Sequence, residues 1–411
     1  MLILAGRFSN SLALARSVVA TSEDANFPVS NLGTGEPWEP FIFGSAVTDG
    51  TITADISTVL DGGFESGVDG SAIDSAANTP WVISVGTPTY STDQAFAGTR
   101  SALLNSAGEE FYQDIDAVAG KQYRIEGAIW GDGTNAVELR LQNRSTGRWL
   151  TSGGLWQSSP TAWATRTVAS FANQTLSFTV EDIGHGNVKL RYFARKVAGT
   201  DPGYVDEMVL HPFVNFISIH GHNINDIIAT ELRYSTDNFS ASDNLRATLT
   251  KRRGRFYGSV AETVARYWRL KFVGTNTEAI SIGEWVLGEA LATLSGGPAP
   301  RIPYNLDHQM PQVVAETSGR VTHRTNLSTE DLYRITLDFE HVTGNYEQLR
   351  DRLLRAANWS EPVVIVPDPA RYEVIHGRPP SVAQVTRQFL TRYEYQLVFD
   401  EDPFEMPVPV P

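Results

Sequence analysis

The stretch YRIEGAIW, from Tyr123 to Trp130, decides how the central part of this chain folds. Tyr123, Ile125 and Ile129 occupy every second position and alternate with residues such as Arg124. An alternation of period two places apolar side chains on one face of a β-strand and the intervening side chains on the other. The stretch therefore predicts a strand with one buried face.

The same alternation continues along the chain. It recurs from Val137 to Gln142 and from Val188 to Phe193. Clusters such as Gly131-Asp132-Gly133 and Ser152-Gly153-Gly154 lie between these segments and supply the backbone conformations that hairpin turns require. Together these patterns predict a β-sandwich in the middle of the chain.

Composition limits what the protein can be. The chain has 411 residues, enough for two to four domains, with 41% hydrophobic residues, a formal net charge of -14 and no cysteine. The missing cysteines exclude disulfides, thiolate metal sites and cysteine nucleophiles. The acidic balance argues against nucleic acid as a partner, because such binding needs clustered Lys and Arg. No apolar run has the length of a membrane span and no signal-peptide pattern is recognised, so we expect no membrane insertion.

The segments on either side of the central block carry a second set of strands. NFPVSNL, FVNFISIHGHN and ARYWRLKF are their landmarks, at Asn26, Phe213 and Ala265. These segments, residues 1–58 and 211–292, resemble a discoidin-type, galactose-binding-like jelly roll, in a form similar to bacteriophage tail proteins. The resemblance implies one discontinuous domain that the central block interrupts.

The central block, residues 61–210, resembles the carbohydrate-binding modules of the family-4/9 jelly-roll kind. DGGFESG at Asp61 and YVDEMVL at Tyr204 open and close it. In such modules the opening Glu and the closing Asp commonly hold a structural calcium, so the resemblance implies Glu65 and Asp206 as candidate calcium ligands. Calcium takes six to eight oxygen ligands and can tie a first strand to a last one. Ordinary solvated turn residues are the alternative interpretation.

The outward face of the predicted central strands mixes aromatic and charged side chains. A sugar ring offers an apolar face to an aromatic ring and hydroxyl groups to Arg or carboxylate partners. If the alternation is unbroken, we expect Trp130 to share one surface with Arg124, Arg140 and Arg191. Core packing stays open as an alternative for the tryptophans, whereas Trp81 and Trp163 are expected in the core. The candidate carbohydrate-binding residues are Trp130, Trp149, Trp156, Arg124, Arg140 and Arg191.

Residues 301–411 follow a Gly/Pro-rich linker and have a different pattern. A strand from Tyr333 to Phe339 is followed by helical spacing from Thr343 to Asn358 and by strands at 362–367 and 393–399. The order predicts a small α+β module that resembles those of phage tail-tube and distal-tail proteins. Such modules close into homo-oligomeric rings by edge-to-edge sheet contact.

The sequence contains no recognisable catalytic motif, so we expect no enzyme. The fold expected for the whole chain is mainly β, with two jelly-roll sandwiches, one inserted in the other, and a smaller C-terminal α+β module. Two functions follow. The first is a virion protein of a phage tail tip, assembled in the host cytoplasm with other tail proteins and contacting host surface polysaccharide. The alternative is a secreted bacterial carbohydrate-binding protein or an accessory module of a carbohydrate-active enzyme.

Overall fold

A computed structural model gives the fold. The described chain is mainly β, with thirty strands and a single short 3-10 helix at Val29–Gly33, and within it no helix is long and apolar enough to cross a membrane. The described residues are 3–6, 17–23, 25–26, 28–33, 41–46, 48–74, 80–181, 187–224, 228–249, 256–275, 278–289 and, beyond residue 304, those of the strands alone.

The strands follow one another along the chain in four groups. The first group is β1 (Ile3–Gly6), β2 (Ser17–Ala20), β3 (Phe41–Ile42) and β4 (Thr48–Asp55). The second is β5 (Val82–Val85), β6 (Thr89–Ser91), β7 (Ser101–Leu104), β8 (Glu110–Val118), β9 (Gln122–Trp130), β10 (Val137–Asn143), β11 (Trp149–Leu150), β12 (Trp156–Gln157), β13 (Ala164–Arg166), β14 (Ala172–Thr179), β15 (Asn187–Lys196) and β16 (Gly203–Pro212). The third is β17 (Val214–His222), β18 (Ala229–Ser235), β19 (Asn244–Leu249), β20 (Phe256–Thr263), β21 (Tyr267–Thr275) and β22 (Ser281–Gly288). The fourth is β23 (Asn305–Gln309), β24 (Gln312–Glu316), β25 (Thr322–Asn326), β26 (Leu332–Val342), β27 (Val363–Val366), β28 (Ile375–Arg378), β29 (Gln384–Phe389) and β30 (Arg392–Glu401).

The chain divides into two compact units. One contains Ile56–Phe213, and the other contains Ser17–Asp55 together with the chain from Val214 onward. We call the first unit, Ile56–Phe213, the insert. It contains the whole of the predicted central block, residues 61–210. We expect residues 61–210 to form an autonomous domain that folds when excised.

The insert is an antiparallel β-sandwich, as the alternating pattern predicts. Sheet I has the strand order β12-β11-β10-β15-β8-β5, with β13 also paired to β10, and sheet II has the order β14-β9-β16-β7-β6. The inward side chains of both sheets form one core, which includes Phe111, Leu139 and Tyr192 from sheet I and Tyr123 and Ile125 from sheet II. Every residue that the alternation places inward in these strands is buried. A shift of one residue would turn these apolar side chains away from the core, so the pattern fixes which face of each strand points inward.

Gly127 lies where the side chains of sheet I pack closely against β9. A Cβ at this position would lie 2.4 Å from a side-chain carbon of Leu139 and 2.9 Å from the hydroxyl of Tyr192. That hydroxyl donates a hydrogen bond of 2.7 Å to the carbonyl of Glu126. The glycine inside YRIEGAIW is therefore required by packing, since any side chain there would push sheet I away from β9.

A buried ion pair ties the end of β15 to the turn between β9 and β10. The ammonium of Lys196 lies 2.9 Å from Oδ2 of Asp132, and both side chains are 0% exposed. Asp132 also accepts a hydrogen bond of 2.8 Å from the amide of Thr134, and Lys196 donates to the carbonyl of Asp201. Burial alone would raise the pKa of Asp132, but hydrogen bonds from Asn135, Lys196 and Thr134 hold it well below its ordinary value.

The second unit contains the remaining sheets. Sheet III has the order β20-β17-β22-β3 and sheet IV the order β19-β18-β21-β4-β2, while sheet V has the order β1-β27-β28-β30-β26-β23 with β29 on β30. Trp268, Leu270 and Phe272 occupy alternate positions of β21 and are buried. β1 pairs with β27 in sheet V, whereas the resemblance places it in the 1–58 part of the jelly roll. The predicted helix at 343–358 lies outside the described residues.

The Lys196–Asp132 pair gives a prediction about stability. Asp132→Ala should lower the free energy of unfolding by about 3–5 kcal/mol, because it leaves a buried ammonium without its counter-charge. Asp116→Ala is the matched control, since Asp116 pairs with Lys189 at 2.7 Å with side chains 51% and 59% exposed. Exposed pairs contribute at most about 1 kcal/mol. Urea unfolding of both variants, followed by tryptophan fluorescence, would measure the difference, and equal losses would contradict it.

Candidate functional site

Three aromatic side chains form a row across the outer face of sheet I. The rings of Tyr112 on β8 and Phe193 on β15 are 5.5 Å apart between centroids, and those of Phe193 and Trp149 on β11 are 5.4 Å apart. Tyr112 and Phe193 are directly paired across their strands. Phe193 is largely buried between its neighbours, whereas Tyr112 and Trp149 keep part of their surface exposed. The row therefore presents two accessible rings joined by a third.

Arg191 links this row to a carboxylate. Its guanidinium donates two hydrogen bonds to Asp114, of 2.6 and 2.7 Å, and lies 3.8 Å from the centre of the Tyr112 ring. The hydrogen bond from Arg191 lowers the pKa of Asp114, and the same bond raises the pKa of Arg191. Both groups stay charged near neutral pH, so each can form charge-assisted hydrogen bonds with a ligand.

A second Arg–carboxylate pair lies on the other side of the row. Arg140 donates hydrogen bonds of 2.5 and 3.0 Å to one oxygen of Glu138, and it is the cross-strand partner of Phe193. Both side chains are mostly buried, at 16% and 17% exposed, so their geometry is held firmly. We call the surface formed by both pairs and the aromatic row the aromatic face; its residues are Tyr112, Asp114, Glu138, Arg140, Trp149, Arg191 and Phe193.

The six predicted binding residues do not share one surface. Arg140, Trp149 and Arg191 belong to strands of sheet I, whereas Arg124 and Trp130 lie on β9 in sheet II. The outward faces of the two sheets point away from each other, so the prediction of a single surface is wrong. Alternation distinguishes inward from outward positions, but it does not say to which sheet a strand belongs.

Trp156 packs with the core and not on the outer face. Its partner across β11 and β12 is the buried Leu150, its ring lies 5.8 Å from that of Phe178, and its indole N–H donates to the carbonyl of Thr179 at 2.9 Å. The alternative interpretation, core packing, is therefore correct for this residue. Trp81 and Trp163 are buried, as expected.

Four members of the aromatic face are absent from the predicted binding residues: Tyr112, Asp114, Glu138 and Phe193. Tyr112 and Asp114 lie in the segment EFYQDIDAV, which forms β8, and both point outward. The segment alternates as clearly as YRIEGAIW does. The signal was therefore present, but only the pairing of β8 with β15 shows that these side chains lie beside Arg191.

The two predicted calcium ligands hold one loop of the insert, residues 92–100. Glu65 accepts hydrogen bonds from the amides of Thr99 and Arg100, at 2.7 and 3.0 Å. Asp206 accepts from the amides of Phe96 and Ala97, at 2.7 and 3.0 Å. Both carboxylates therefore tie the loop between β6 and β7 to the sandwich.

Calcium at these carboxylates stays a prediction. Carboxylate oxygens are the ligands that calcium prefers. All four carboxylate oxygens of Glu65 and Asp206 already accept at least one hydrogen bond, including one from the Glu207 amide to Oδ1 of Asp206. No group of three or more His, Asp or Glu suited to a metal occurs among the described residues. Burial raises the pKa of Asp206 to about 7, against the opposing effect of its amide hydrogen bonds. A cation beside this carboxylate would offset that cost of burying its charge.

Comparisons with known proteins found no family and no curated relative. No family profile and no curated sequence matches the chain. Solved structures that align with it include a family 16 carbohydrate-binding module, with 15% identity over 37% of this chain and 98% of that one at a TM-score of 0.26. TmCBM61 in complex with beta-1,4-galactotriose aligns with 15% identity over 38% and 98% at 0.26, and a CBM4 structure with 16% over 38% and 99% at 0.24. TM-scores of 0.24 and 0.26 do not establish a shared fold over the chain.

Asp206 gives a prediction about pH and calcium. Its pKa is about 7 in the fold against an ordinary value of 3.8, so its neutral form is favoured in the folded protein. The resulting stability is fully present below about pH 4 and is lost, by roughly 4 kcal/mol, as the pH rises through 7. Asp206→Asn should remove this dependence in urea unfolding between pH 4 and pH 8.

Added calcium should restore the stability of the wild type at pH 8 if Asp206 binds the ion, because an ion bound only by the folded state stabilises it. It should have no effect on the Asp206→Asn variant. Calcium-independent unfolding of the wild type at pH 8 would exclude the calcium site, and a flat pH profile would contradict the raised pKa.

Proposed function

We propose that this protein binds glycans without transforming them, and that the aromatic face of the insert is the binding surface. The observation that carries the proposal is the row of Tyr112, Phe193 and Trp149 with an Arg–carboxylate pair on each side. An exposed ring stacks on the apolar face of a pyranose, and charged donors and acceptors beside it bind the ring hydroxyls.

The chemistry of the face favours a sugar over other ligands. Each arginine is already neutralised by a carboxylate, so the face has no net positive charge with which to attract phosphate groups. It also contains both donors and acceptors at fixed positions, which suits hydroxyl groups that donate and accept hydrogen bonds. The row runs across strands, and therefore an extended chain could contact Tyr112 and Trp149 at the same time.

The setting of this binding protein is a further proposal, which rests on the sequence resemblance to phage tail proteins. We propose a virion protein of the tail tip that forms a ring through its C-terminal strands and binds host polysaccharide. Among the described strands, β1 and β23 are the two ends of sheet V. Unpaired strand ends can join neighbouring copies, and cyclic symmetry would close them into a ring.

The assembly proposal predicts ring-shaped particles of the purified protein in negative-stain electron microscopy. Deleting residues 301–411 should convert them to monomers in light scattering, because every strand of sheet V except β1 is lost. A full-length chain that stays monomeric at high concentration would favour the secreted carbohydrate-binding protein instead.

The glycan proposal predicts that Trp149→Ala weakens binding at least about tenfold, since it removes an exposed stacking ring. Affinity electrophoresis in gels containing xylan, β-1,4-galactan, hydroxyethylcellulose or polygalacturonate would measure retention of the full-length chain. Leu155→Ala is the control, because Leu155 is apolar and 72% exposed but lies outside the aromatic face. Retention that Trp149→Ala leaves unchanged would contradict the assignment of this face.

A further inference from the structure

Sheet II carries a separate group of aromatic side chains on its outer face. Trp130 lies between Phe171 and Tyr204, with ring centroids 5.4 and 6.0 Å away and both rings nearly perpendicular to the indole. Phe96 continues the group at 5.9 Å from Phe171 and is 46% exposed. Phe96 packs on Phe171, which in turn contacts Trp130, so the rings form a connected aromatic platform on the side of the sandwich opposite to the aromatic face.

The two carboxylates that bind the loop at residues 92–100, Glu65 and Asp206, also hold the platform in place. The carboxylate of Asp206 accepts the amide hydrogens of Phe96 and Ala97, and Glu65 holds the same loop at Thr99. Phe96 therefore has a fixed backbone although its ring is exposed. A ring that is ordered before binding loses little conformational entropy when a ligand stacks on it.

A polar row borders the platform on the same face of sheet II. Arg124 on β9 lies 2.8 Å from Oε1 of Glu126, and Asn173 on β14 donates to the same carboxylate at 3.4 Å. Asn173 is the cross-strand partner of Ala128, whose small side chain separates Glu126 from Trp130. The face therefore places hydrogen-bond donors and acceptors beside the aromatic platform, with the buried Ala128 between them.

We propose that the outer face of sheet II is a second glycan-binding site, with Phe96 and Trp130 as the stacking surface and Arg124, Glu126 and Asn173 as partners for sugar hydroxyls. The inference rests on the proposed glycan-binding function of the insert and adds a site to it. Because the two sites lie on opposite faces of one sandwich, a single insert would bind two glycan chains and bridge them. Such bridging raises the avidity for a dense polysaccharide.

Isothermal titration calorimetry of the full-length chain tests this proposal by counting sites. The probes are hexasaccharides of the four polymers used in the gels, and the variants are Phe96→Ala, Trp149→Ala and the double variant. We expect two hexasaccharides per chain for the wild type, one for each single variant and none for the double variant. Phe96→Tyr should keep both sites, because it keeps the ring. Unchanged melting temperatures would show that the variants fold.

The outcomes separate the two proposals. One hexasaccharide per chain, lost in Trp149→Ala and unchanged in Phe96→Ala, would overturn the second site and leave the proposed function standing. Binding that Phe96→Ala abolishes and Trp149→Ala leaves unchanged would support the sheet II site and contradict the aromatic face. A wild type that binds none of the hexasaccharides and is not retained in any gel would overturn both.

Discussion

The register of the antiparallel pairs β8–β15–β10 is the constraint on which the candidate site depends. It sets Tyr112 opposite Phe193 and Phe193 opposite Arg140. Two residues further along the strands, it sets Asp114 opposite Arg191. A slip of one residue in any of these strands would turn its outward side chains into the core. The same register that buries Ile115, Leu139 and Leu190 therefore also builds the aromatic face.

Several contacts keep this register from slipping. The buried pair of Lys196 with Asp132 fixes the end of β15, and the tight contact of Gly127 with Leu139 fixes the distance between the sheets. The opening segment is held as well, since the amide of Met208 in the closing strand donates a hydrogen bond of 2.9 Å to the carbonyl of Gly62. On the outer face of sheet I, Tyr112 and Trp149 keep part of their surface exposed and are therefore accessible to a ligand.

The sequence predicts the class of fold and the inward side chains, because period-two alternation follows directly from strand geometry. It predicts the outward position of Arg140 and Arg191 for the same reason, whereas it leaves core packing open for Trp149. It does not predict that β9 and β10 belong to different sheets, since that depends on pairing between residues far apart in the chain, such as Trp130 with Tyr204. The hydrogen bonds of Glu65 and Asp206 to the 92–100 loop are also long-range contacts that no local pattern reveals.

The central claim is that a glycan contacts the outer face of sheet I. The most direct measurement follows the indole N–H resonances of the nine tryptophans while a hexasaccharide is added to the full-length protein. The account predicts that the Trp149 resonance, assigned through Trp149→Phe, shifts on saturation, whereas the resonances of the core residues Trp81 and Trp163 stay in place. A Trp149 resonance that does not move while the hexasaccharide binds would contradict the claim.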